Sequence, residues 1–157
     1  IRAAIENTQS YPIEFTTDGC ALRSIISDCT LYCTTATTAA IRFPVDVTGN
    51  GDRMVLNCWF VGSVGADFNG SQNVQFLGNS CAGMSFLSTS KKANIVGNRI
   101  ATRSVTLAGN DHVFMGNICA MPLTISCNQS VIVGNRIVAG SLTDGGTLNQ
   151  VGLNAVL

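Results

Sequence analysis

The side chains best able to do chemistry cluster in one stretch: Asp111-His112, flanked by Arg99, Arg103 and Arg136. An arginine pair can hold a sugar carboxylate, and a lyase-type site uses such a cation as base or clamp. The catalytic candidates are therefore Asp111, His112, Arg99 and Arg136, and the glycan-binding candidates are Arg99, Arg103 and Arg136. A glycosidase of the common kind needs two carboxyl groups, about 5 Å or 6.5–9.5 Å apart. The nine acids are Glu6, Glu14, Asp18, Asp28, Asp46, Asp52, Asp67, Asp111 and Asp144. Those in the regular part of the chain show no pairing at a constant spacing, and Asp46, Asp52 and Asp67 sit in turn-rich sequence. The competing reading of the cluster is a solvated outer face, with arginine stems lying over apolar surface and His112 turned into the core.

No metal or cofactor is expected. The cysteines are Cys20, Cys29, Cys33, Cys58, Cys81, Cys119 and Cys127, with no CxxC and a single histidine. Zinc would want clustered Cys and His at closer spacing. The thiols read instead as reduced, buried, small hydrophobes, which suits assembly in a reducing cytoplasm.

What must position these groups is a repeat. Four Gly-Asn pairs, Gly78-Asn79, Gly97-Asn98, Gly116-Asn117 and Gly134-Asn135, follow one another with asparagine steps of 19, 19 and 18 residues. A constant period near 19 with a recurring turn pair indicates a solenoid, whose repeats bury their cores against one another. Three positions before each asparagine stand Phe76, Ile95, Phe114 and Ile132, and two after it Cys81, Ile100, Cys119 and Ile137. Apolar in every repeat, these point inward. A third short strand follows as Met84–Phe86, Val105–Leu107, Leu123–Ile125 and Ser141–Thr143, with apolar residues two apart.

Earlier, Met54–Trp59 is expected to place Asn57 in the turn slot and Trp59 inward, and Ile25–Thr30 to place Asp28 in the same turn slot. The prediction is an all-β, right-handed parallel β-helix of six or seven coils of 18–22 residues. It forms one domain over 1–157, with longer excursions in the first coils. Asn57, Asn79, Asn98, Asn117 and Asn135 are expected to form an internal ladder of amide hydrogen bonds from coil to coil.

Leu77, Val96, Met115 and Val133 precede the Gly-Asn pairs and alternate with the inward residues. Either the turn tucks them inside, or they form an outer apolar strip that serves as an oligomer interface.

Charge excludes several roles. Nine basic and nine acidic residues cancel, and charged residues are only 11% of the chain. No basic field for nucleic acid results, and no apolar run is long enough for membrane insertion by a helix. The start at Ile1 reads like the interior of a longer chain.

The repeated segment (Phe or Ile, one residue, Gly-Asn, one residue, then Ile or Cys) resembles the coils of right-handed parallel β-helix proteins of the pectate-lyase-like superfamily. The likeness covers roughly Ser24 to Val138. It implies the fold and leaves the activity open, because lyases, hydrolases, epimerases and viral tailspikes share that architecture. The outer strip is closest in style to phage tailspikes and tail fibres, which implies a homotrimer that binds host cell-surface polysaccharide. Its location would be the virion tail, assembled in the host cytoplasm. The alternatives are a secreted or cell-surface protein, or a polysaccharide lyase or glycoside hydrolase acting as a depolymerase.

Overall fold

The computed structural model describes residues 4–7, 13–14, 23–33, 39–43, 52–61 and 64–157. Asp18, Cys20 and Asp46 lie outside the described residues, as do the side chains of Glu6, Glu14 and Cys33. The chain is an all-β solenoid of parallel strands, as the period predicts. About five regular turns are present, slightly fewer than the six or seven expected. The strands before Asp52 extend the same sheets at the N-terminal end.

Each coil contributes to three faces. Among the described residues the first face is a seven-stranded sheet: Arg23–Ser27, Asp52–Leu56, Val74–Leu77, Asn94–Val96, Val113–Met115, Val131–Val133 and Gln150–Gly152. After the Gly-Asn corner comes the second face, whose eight strands include Thr30–Cys33, Trp59–Val61, Ser80–Cys81, Arg99–Ile100, Ile118–Cys119 and Arg136–Ile137. The third face is split into a four-stranded sheet, ending at Met84–Phe86, and a three-stranded one beginning at Val105–Leu107.

Register explains the sequence repeat. Phe76, Ile95, Phe114 and Ile132 pair in line and are fully buried, because alternation along each short strand sends every second side chain inward. Cys81, Ile100, Cys119 and Ile137 form a second buried column. Towards the N-terminal end the core turns aromatic: Phe68 stacks between Phe43 and Phe86, with ring centroids 5.1 and 4.6 Å away.

The first coils correct the expected alignment by one residue. Leu56 pairs with Leu77, so Asn57 falls in line with Gly78 and Cys58 with Asn79. Asn57 has φ 52° and Asp28 φ 55°, beside 66°, 68°, 64° and 67° at Gly78, Gly97, Gly116 and Gly134. Asparagine and aspartate there do the glycine's work of turning the chain through the left-handed region. Asn57 and Asp28 are accordingly exposed and outside the ladder. The same shift turns Trp59 outward, with 59% of its surface accessible, where the inward slot was expected.

Candidate functional site

The asparagine ladder runs through the described coils as a continuous buried column. The backbone N–H of Asn79 donates to Asn98 Oδ1 (2.8 Å), that of Asn98 to Asn117 Oδ1 (2.9 Å) and that of Asn117 to Asn135 Oδ1 (2.9 Å). Each side-chain amide also donates to the next oxygen and to a strand carbonyl one coil back, as Asn117 Nδ2 does to Ile95 O at 2.9 Å. Asn154 extends the column by a further coil, accepting from the Asn135 N–H at 2.9 Å. These amides are saturated by the scaffold, which leaves them nothing to offer a ligand.

A second polar column stands at the corner before the first face, and the sequence hides it by varying the residue type. The Ala93 N–H donates to His112 Nδ1 (3.2 Å), the His112 N–H to Ser130 Oγ (3.0 Å) and the Ser130 N–H to Asn149 Oδ1 (3.0 Å). His112 completes its bonding by donating from Nε2 to Ala108 O at 2.9 Å. It is buried and packs 5.7 Å from the Phe86 ring. Burial pushes its pKa below the ordinary 6.5, against the smaller upward pull of the Ala108 carbonyl and of Asp111. His112 is thus a neutral core histidine with both ring nitrogens occupied. Asp111 turns the corner beside it at φ 58°.

His112 therefore gives the fold an acid-sensitive point. Its stabilisation is complete above the unfolded value near 6.5 and declines as the pH falls from there towards the lowered folded value. Thermal melts at pH 7.5 and pH 5 should show an acid loss that is smaller in His112→Ser, which places in this slot the residue that the next coil already uses. An equal acid loss in both proteins would contradict the assignment.

The proposed cluster does not assemble. Arg99 and Arg136 share one outward column of the second face with Ile118 between them, as predicted. Asp111 and His112 lie at the opposite edge of the first face, separated from that column by a whole strand and the Gly-Asn corner. Arg103 is exposed in the turn after the second face, its stem over Gly83.

The acids are also placed. Asp67, expected in a turn, lies in the strand Val64–Phe68, and Asp52 opens the strand Asp52–Leu56. Asp67 accepts from Ser85 Oγ at 2.7 Å and meets the Arg42 guanidinium at 3.6 Å. Among the described residues no group of three or more His, Cys, Asp or Glu could hold a metal ion.

No protein-family model matches this chain, and no curated protein or solved structure is significantly similar to it. Function must be read from the surfaces.

Two outer faces differ in character. The first face presents two columns. One runs Ile25, Met54, Gln75, Asn94, Val113, Val131 and Gln150, and the other Ser27, Leu56, Leu77, Val96, Met115, Val133 and Gly152. Leu77, Val96 and Val133 are half-buried and Met115 is exposed, so the strip lies on the outside. Neither column holds a charge; beside them, at the N-terminal end of the same face, stands exposed Asp52, paired in register with Arg23. The second face instead carries Trp59, Arg99 and Arg136.

Of the five free cysteines among the described residues, Cys58, Cys81, Cys119 and Cys127 are buried and poor nucleophiles. Burial raises the Cys81 and Cys119 thiols to about 12, so thiolate is scarce at neutral pH. At pH 8 both should resist an aromatic disulfide reagent in the native protein and react on unfolding. Rapid native labelling at either position would contradict their burial.

Proposed function

We propose that this chain is a structural and host-attachment segment of a phage tailspike or tail fibre, a homotrimer that binds surface glycans. The observation that carries the reading is the pair of uncharged, largely apolar columns along the outer face of the seven-stranded sheet, where Arg23 and Asp52 pair only at the N-terminal edge. A solenoid alone in water gains nothing from Leu56, Leu77, Val96, Val113, Met115, Val131 and Val133 on one outer surface, and apolar patches of that extent mark interfaces. Identical chains packed side by side about a common axis would cover that face along its length. The resemblance of the coils to tailspike β-helices supports three chains, and supports the virion tail as the location.

The depolymerase reading is weaker. Asp111 and His112 serve turns and core, and Asp67 is engaged by Arg42 and Ser85. Incubation with acidic polysaccharides tests it. The attachment reading predicts neither unsaturated, ultraviolet-absorbing ends nor new reducing ends. Steady release of either would replace it with the enzymatic one.

A further inference from the structure

The second face carries a groove whose chemistry goes further than general stickiness towards glycans. Trp59, Ser80 and Arg99 stand in line on consecutive strands, and Ile118 and Arg136 continue the column. Beside them the chain runs low: Ala82 and Ala101 form a floor between this column and Thr102, and these residues with Trp59 and Arg99 line a single shallow depression. The floor is low because Ala101 and Thr102 hydrogen-bond onto the preceding coil at Cys81 and Ala82, which stacks small side chains on one another.

Charge along this column is one-sided; the acid beside it is Asp28, which with Thr30 and Trp59 lines the neighbouring depression towards the N-terminal end. From Trp59 to Arg136 the column holds two guanidinium groups and no carboxylate. No hydrogen bond or ion pair among the described residues engages the Arg99 or Arg136 guanidinium group. The chain as a whole is neutral, so the local excess of cations is a property of this column.

We infer that this groove binds a carboxylated polysaccharide running along the solenoid axis, with a sugar ring stacked on Trp59 and a uronate-type carboxylate held by Arg99. The indole offers a flat, electron-rich face to the C–H side of a pyranose, and the guanidinium fork suits a planar carboxylate. Trp59 and Arg99 are two strand spacings apart, roughly 10 Å, and Arg99 and Arg136 the same again. Two sugars of a polyuronate advance by a similar amount, so Arg136 would take the carboxylate two sugars further along. A second copy of the chain is the poorer occupant, because it would set arginines against arginines. The apolar columns of the first face suit self-association better.

This inference rests on the attachment reading and can fail separately from it. The chain has one tryptophan, so its fluorescence reports on the groove directly. The probes are hexamers of galacturonate and of guluronate, and the same hexamers methyl-esterified. A saturable change in Trp59 emission is expected with the free acids. It should weaken at least tenfold on esterification or in Arg99→Ala, and further as salt rises. Trp59→Ala should lose binding by calorimetry while keeping the wild-type melting temperature, because the ring is mostly exposed.

No saturable change with either acid hexamer would overturn the inference, as would a response that Arg99→Ala leaves intact. Shielding of Trp59 from acrylamide in the ligand-free oligomer would also overturn it, by making this face the interface. Binding of neutral glycans with Trp59 emission unchanged would remove the groove and leave attachment standing. Absence of binding to any glycan, together with a monomeric mass, would remove both.

Discussion

Asn117→Ala should lower the apparent melting temperature by roughly 6–12 °C, the equivalent of about 3 kcal/mol. Asn117 Oδ1 accepts both the backbone N–H and the side-chain amide of Asn98, at 2.9 and 3.0 Å. Alanine leaves that buried backbone N–H without a partner, and an orphaned donor alone costs about 1–3 kcal/mol. It also removes the bonds to Ile95 O and Asn135 Oδ1 and leaves space in the column. Asn57→Gly is the matched control. Asn57 occupies the left-handed slot that glycine fills in the later coils, so the change should stay within about 0.5 kcal/mol. Thermal melts followed by circular dichroism decide this: equal losses in the two variants would contradict the one-residue shift between turn slot and ladder slot.

Val96→Glu should dissociate the assembly while leaving each solenoid folded. Val96 lies mid-column on the first face, in line with Leu77 and Met115. In a trimer packed through that face, three carboxylates would converge in an apolar contact, and each uncompensated buried charge costs several kcal/mol. Thr106→Glu is the control, on an exposed outward position of the third face. Sedimentation velocity should show Val96→Glu as a single chain and Thr106→Glu as wild type, with strand content unchanged in both. An unaffected Val96→Glu assembly would move the interface to another face.

Much of the fold was legible because one coil reuses one solution. Glycine turns the chain, asparagine joins it to the next coil, and an apolar residue on each side fills the core, so the identities recur every 18 or 19 residues. The N-terminal coils were misaligned because asparagine can serve either turn or ladder. At Asn57 it serves the turn, with Cys58 in the ladder slot, and the resulting shift hid the exposure of Trp59. The column of Ala93, His112, Ser130 and Asn149 escaped notice as a ladder for the opposite reason: different side chains meet the same N–H group. Alternation placed His112 inward and aligned Arg99 with Arg136. It could not show that Asp111 and His112 belong to a different corner, because the path of the turns between strands has no fixed period.

Copies of the same chain should cover the apolar columns of the first face. Light scattering coupled to size exclusion measures this most directly. A homotrimer should give a mass near three times the 16.4 kDa of one chain. A clean monomer at micromolar concentration would contradict it and leave that face without an explanation.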